Sequence, residues 1–130
     1  MKKENVDKMT LQQAMDYSIN KLVEQGRRCR IANECAYGNS KGQHCAVGWL
    51  LDEDNDDLMN AEGSIGLLMT DHRAALPKLM LENEAAFREF QNFHDSELRR
   101  YRSHLLLEIE GYGIDVDANP NWKKWVEMGK

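Results

Sequence analysis

The sequence predicts a mostly α, compact single-domain fold of five or six helices over residues 1–130, with room for one short β-hairpin. Three observations carry that expectation. Apolar residues recur at three- and four-residue spacing along most of the chain, the signature of one buried helical side. Helix-start signals stand where those patterns begin: Thr10 with Gln13, Asn83 with Glu84, and Asn119 before Pro120. Glycines stand where they end, at Gly26, Gly111 and Gly113.

The first helix follows from Thr10-Leu11-Gln12-Gln13, a capping box in which hydroxyl and amide satisfy first-turn N–H groups reciprocally. Leu11, Ala14, Met15, Ile19, Leu22 and Val23 form its apolar side, and Gly26 closes it. From Arg27 to Gly42 the helical period disappears. Cys29 to Tyr37 reads as the hairpin and Gly38-Asn39-Ser40-Lys41-Gly42 as a turn. Cys45 to Leu51 reads as a short helix despite Gly48, which costs about 1 kcal/mol against Ala inside a helix. A glycine kept there points to close approach by another backbone or a ring.

Asp52 to Asp57 is an acidic loop, with Asp56 or Asp57 able to cap the turn after it. Short helical pieces follow around Leu58 and over Ile65–Met69, the latter capped by Ser64. Leu76 precedes Pro77 and is biased away from helical backbone. Asn83 is placed to N-cap a helix with Ala86, Phe87, Phe90, Phe93 and His94 on one side, and Asp95-Ser96 interrupts it. Leu98, Tyr101, Arg102, Leu105 and Ile109 then define a second helical side, and Asn119-Pro120 opens a terminal helix with Trp122, Trp125 and Val126. Leu22, Phe90, Leu105 and Trp125 are therefore expected in the core.

Composition narrows the function classes. The chain is 42% hydrophobic and 30% charged, a folding rather than a disordered balance. A net charge of −5 disfavours nonspecific nucleic-acid binding, which draws its affinity from Lys and Arg on phosphates. No apolar run approaches the ~20 residues that cross a bilayer, and Met1 to Asn5 is followed by no apolar signal segment, so no membrane partner is expected. Three cysteines, an odd count, fit reduced thiols in a cytoplasm.

Four patterns are candidates for chemistry. Cys45 at the head of an apolar segment could be a thiolate held by helix-end N–H groups, with His94 as base and Asp95 or Glu62 orienting it. The competing and preferred reading is a small buried core residue. Cys29, Cys35, His44 and Cys45 have the spacing C-x5-C-x8-H-C, which lacks the close ligand pairs of structural zinc, so neither metal nor cofactor is assigned. Asp52, Asp54 and Asp56 match the first positions of a calcium loop, but Asp57 and Gly63 stand where the glycine and the bidentate glutamate belong. Arg27-Arg28-Cys29-Arg30 and Arg99-Arg100-Tyr101-Arg102 are basic clusters that read mainly as solvated sides.

Tyr37-Gly38, Gly42, Cys45-Ala46-Val47-Gly48, Leu51-Asp52, Glu62-Gly63 and Gln91-Asn92-Phe93-His94-Asp95 together resemble a family of small bacteriophage and bacterial proteins. The family outline is a glycine turn, Cys-Ala-[Val/Ile]-Gly, an acidic stretch, Glu-Gly and Gln-x-x-His-Asp. It covers residues ~27–95, and Trp49 departs from it by standing where a smaller residue is usual. The resemblance implies an origin and a set of positions, Cys45, Glu62, His94 and Asp95, but no activity. The function expected is that of a phage-type accessory protein in the bacterial cytoplasm, of the host-takeover or anti-defence kind, binding a host or phage protein. The alternatives are the thiol-dependent enzyme and, more weakly, a metal-stabilised domain.

Overall fold

The capping box at Thr10 opens the longest helix among the described residues. The computed structural model describes residues 1–26, 30–31, 34–35, 37, 44–61 and 65–128; it has a short helix α1 (Lys3–Val6) and then α2 (Leu11–Gln25). Thr10 Oγ1 accepts the Gln13 N–H at 3.1 Å, and Gln13 Oε1 accepts the Thr10 N–H at 3.0 Å. Gly26 takes the left-handed conformation at φ 82° and returns its N–H to the Leu22 carbonyl. Ala14, Met15, Ile19 and Leu22 point into the core.

The hairpin is a two-residue antiparallel ladder of β1 (Arg30–Ile31) and β2 (Glu34–Cys35), with Arg30 opposite Cys35 and Ile31 opposite Glu34. The turn expected at Gly38–Gly42 lies outside the described residues. The helix expected over Cys45–Leu51 is instead a turn leading into a single 3-10 turn at Gly48–Leu50. The Ala46 carbonyl and the Val47 N–H are taken by the side chains of Ser18 and Gln91, and a Cβ at Gly48 would sit 2.0 Å from the Tyr37 carbonyl oxygen. The close backbone approach foreseen for this glycine is therefore real, and it forbids any other residue.

Asn55, not Asp56 or Asp57, caps α3 (Asp56–Met59), accepting the Leu58 N–H at 3.2 Å. Next comes α4 (Ile65–Asp71), whose expected cap Ser64 lies outside the described residues. Leu76 is extended before Pro77, as the proline requires, and α5 (Lys78–Glu82) follows. Asn83 does not cap the next helix with its side chain. Its amide donates back to the Leu79 carbonyl at 2.8 Å, closing α5 instead.

Three further helices complete the core with α2: α6 (Glu84–Asp95), α7 (Arg99–Glu110) and α8 (Asn121–Glu127). Ala86, Phe87, Phe90, Phe93 and His94 are all buried, as their spacing requires. Trp122 from α8 lies 5.3 Å from the Phe90 ring and 5.9 Å from Phe93. Its indole N–H also reaches back to Asp16 on α2 at 2.9 Å. The chain before α8 is fastened to α2 as well, since Gln12 accepts the Asp115 N–H at 2.7 Å and donates to its carbonyl at 3.2 Å. Asn119 accepts the Asn121 N–H at 3.0 Å, so it caps α8 as expected.

One expectation about α7 is corrected. Its buried side is Arg102, Leu106 and Ile109, whereas Leu98 and Tyr101 are exposed and Leu105 is only half-buried. Arg102 explains the change. Its guanidinium lies inside the fold and donates to the carbonyls of Val126 at 3.1 Å, Ser96 at 3.0 Å and Glu97 at 3.2 Å. A planar cation with several donors is well suited to gather carbonyls at a helix end and an interhelical link. Apolar spacing alone gives no sign of such a demand. No helix among the described residues is long and apolar enough to cross a membrane.

Candidate functional site

Of the residues singled out by sequence, His44 and Cys45 lie in the turn at residues 44–48, and His94 and Asp95 connect to it through Gln91. This segment crosses the interior between α2 and α6, where its backbone groups need partners from side chains. Gln25 at the end of α2 supplies two, accepting the His44 N–H at 2.9 Å and donating to the His44 carbonyl at 3.1 Å. Ser18, buried in the middle of α2, donates to the Ala46 carbonyl at 2.5 Å. Gln91 of α6 accepts the Val47 N–H at 3.1 Å.

Cys45 belongs to the same arrangement. It is fully buried, and its Sγ accepts the Gly48 N–H at 3.3 Å, the part an N-cap hydroxyl plays at the start of a helix. The thiol thus faces the start of the 3-10 turn from within the core. A nucleophile in that position lacks an approach for substrate. His44 is buried too, with Nδ1 2.9 Å from the Tyr37 carbonyl and its ring 4.6 Å from Trp49 in an edge-on contact. The Glu53 carboxylate lies 3.6 Å from its Nε2.

His94 and Asp95 do come together, although they are sequence neighbours. His94 Nδ1 lies 2.7 Å from Asp95 Oδ1, and the same oxygen accepts from Gln91 Nε2 at 3.1 Å. The His94 ring is fully buried and stacks nearly parallel on Trp125, 5.6 Å between centres and 10° between planes. A continuous chain therefore runs from the Val47 N–H through Gln91 to Asp95 and His94. It joins the Cys-Ala-Val-Gly piece to the Gln-x-x-His-Asp piece, which lie more than forty residues apart in sequence. Glu62, and with it any part it has here, lies outside the described residues, as do Cys29 and the side chain of Cys35. Among the described residues no group of three or more His, Cys, Asp or Glu side chains is placed to hold a metal ion.

Sequence reasoning named Cys45, His94 and Asp95 but gave no part to Gln91, Ser18 or Gln25, which hold the turn in place. Ser18 carried a legible signal, because a lone hydroxyl within an apolar helical side needs a partner. Of the two basic clusters, the one at Arg27–Arg30 lies outside the described residues apart from the Arg30 backbone. In the other, Arg99 pairs with Glu127 at 2.5 Å, Arg100 lies 5.0 Å over the Tyr101 ring, and Arg102 is interior.

The outer side of α7 is the remaining feature. Leu98, Tyr101 and Leu105 recur along it, with Tyr112 in the closing turn; Leu98 is 48% exposed, Tyr101 50% and Tyr112 43%. Single exposed apolar residues are ordinary, whereas several aligned on one helix form a patch. The sign that sequence offered was Leu105-Leu106-Leu107, because three successive apolar residues cannot all face one way on a helix. Comparison of the chain with protein-family models, with curated proteins and with solved structures finds no match.

Proposed function

We propose that this protein acts by contact with another protein rather than by catalysis, as a small phage-type accessory protein in the cytoplasm of a bacterial host. The observation that carries the reading is the outer side of α7 and its two ends, where Leu98, Tyr101 and Tyr112 are about half exposed. Tyrosine is favoured in contact surfaces because it brings large apolar area at low conformational cost, with a hydroxyl for orientation. The residue types that suggested an enzyme point the other way. Cys45, His94 and Gln91 are buried and tied to backbone or to neighbouring side chains, and the partly exposed Asp95 bonds both His94 and Gln91. The resemblance to phage and bacterial proteins supplies the setting.

Two measurements test the reading. A photo-crosslinking phenylalanine analogue is placed at Tyr101, and a control at Asp117, in bacteria producing the chain. Discrete crosslinked protein species from position 101 and none from 117 are expected, and their absence from 101 sinks the contact surface. Site-resolved alkylation of the native protein between about pH 6 and 9 tests the thiol enzyme. Cys45 is expected to react only as fast as the fold opens. Fast modification of Cys45 that depends on His94 would favour the enzyme instead.

A further inference from the structure

The charges that border the α7 stripe are arranged as a mirror-like sequence. Arg100, His104 and Glu108 follow one another at four-residue spacing beside Leu98, Tyr101 and Leu105, so they share one flank of the exposed side. The flank is basic at its start, carries His104 in the middle and is acidic at its end. Arg100 leans over Tyr101, and His104 lies 3.7 Å from Glu108. α7 as a whole has cations in its first turn and anions in its last, with no acidic residue at the start and no basic residue at the end. That order opposes the helix dipole, which favours anions at the N-terminus and cations at the C-terminus. Nothing within α7 itself relieves it.

We infer that a second copy of this chain docks on α7, the two helices antiparallel about a two-fold axis near residues 104 and 105. The inference rests on the reading of this side as a contact surface and names its occupant. In an antiparallel pair related by a two-fold axis, each flank meets the same flank of its partner running the other way. Arg100 then faces the second copy's Glu108, and Glu108 faces the second copy's Arg100, while the two His104 rings meet at the centre. The apolar stripe is self-matching about the same point. Leu98 of one copy lies toward Tyr112 of the other, Tyr101 lies between the other copy's Leu105 and Tyr112, and Leu105 packs near its own counterpart. The helix ends of opposite polarity come side by side, so the unfavourable charge order of each α7 is offset by its neighbour. A parallel two-fold pair sets this flank against the opposite flank of its partner, so the Arg100–Glu108 pairing forms only in the antiparallel arrangement.

One helix side supplies less than the roughly 800 Å² per partner of a standard interface, so the dimer is weak, with a dissociation constant of ~10–100 µM. The experiment is sedimentation velocity across that concentration range on the purified chain. It compares the unmodified protein with Tyr101→Glu, Arg100→Glu, Glu108→Arg and the double variant Arg100→Glu/Glu108→Arg, with thermal melts confirming that each is folded. The unmodified chain should shift from monomer to dimer as concentration rises, and Tyr101→Glu should remain monomeric. Each single charge reversal should weaken association about tenfold, since symmetry counts it twice, and the double variant should restore it.

Association that survives Tyr101→Glu, or single reversals that weaken it with no recovery in the double variant, overturns the antiparallel pairing. A chain that stays monomeric throughout overturns self-docking. If the Tyr101 probe then still captures a different protein in cells, the contact-surface reading stands without it. If it captures nothing, both fall.

Discussion

The turn at residues 44–48 and the outer side of α7 look alike in one respect and differ in the one that matters. Both concentrate residue types that suggest function: cysteine, histidine, glutamine and aspartate in the first, arginine, tyrosine and glutamate in the second. In the first region the side chains of Gln25, Ser18 and Gln91 are matched to backbone groups that would otherwise be buried without partners. In the second, large apolar side chains remain in water although their spacing resembles a core pattern. Polar residue type is therefore a poor guide to a working surface in this molecule, and an apolar period is a poor guide to burial. The decisive information is whether a group's physical needs are met from within the fold.

The contrast can be broken from the interior outward. Phe90→Ala removes a fully buried ring packed on Trp122 and should cost about 3–5 kcal/mol, read by chemical denaturation. That is a large share of a typical domain's stability, so loss of the folded baseline is also consistent. Gly48→Ala forces a methyl against the Tyr37 carbonyl, with its Cβ 2.0 Å from the oxygen, and should cost about 2–3 kcal/mol by the same measurement. A cost near zero would mean that the turn and Tyr37 move apart freely. Gln91→Ala deprives the Val47 N–H of its acceptor and Asp95 of a donor, a loss of about 1–3 kcal/mol. Faster hydrogen exchange at the Val47 amide, ahead of global unfolding, is the sharper reading of the same variant.

Tyr101→Glu lies at the other end of the scale. Its side chain is half exposed, so the change should move stability by no more than about 0.5 kcal/mol in thermal melts of dilute protein. A larger loss would place Tyr101 in the fold rather than on a contact surface. The smallest effect belongs to the acidic loop. Slight burial pushes the Asp52 carboxyl upward, but the Lys2 ammonium at 3.1 Å, the Asp54 N–H and the amino terminus outweigh it and hold the group below its ordinary 3.8. A depressed carboxyl contributes stability above the unfolded value, and that contribution fades as pH falls through the folded one. Following the Asp52 carboxyl by NMR from pH 6 to pH 2 should show this low midpoint, and Lys2→Ala should move it up toward that of a free carboxyl. The pair is exposed, so its effect on stability is slight.

Much of the fold was legible because its signals are local. Thr10 and Gln13, Gly26, Leu76 with Pro77, and the apolar side of α6 each act within a few residues, and each is realised. Cys45 to Leu51 was misread as a helix because its Ala46 carbonyl and Val47 N–H are bonded by Ser18 and Gln91, side chains that reach in from other segments. Asn83 has the right type for a cap, yet its amide was claimed by the Leu79 carbonyl in the preceding helix. At the site, the burial of Cys45 was readable from its apolar neighbours, whereas adjacency alone does not pair His94 with Asp95, since neighbouring side chains on a helix point in different directions. The link through Gln91 was not readable either, since nothing local tells which distant N–H a glutamine will find.

Arg102 has a consequence that reaches beyond the three carbonyls it holds. A helix resting on an apolar bed can roll about its long axis, and the Leu98, Tyr101 and Leu105 set and the Leu106 and Ile109 set offer α7 two resting angles. A guanidinium bonded at once to Val126, Ser96 and Glu97 admits only one of them. Together with the buried Leu106 and Ile109, this interior cation indexes the azimuth of α7, and with it which aromatic side chains meet the solvent. Replacing Arg102 with methionine would leave the helix its length and much of its packing while releasing that index. Tyr101 would then be free to turn inward, and the outer surface would close without the fold being lost.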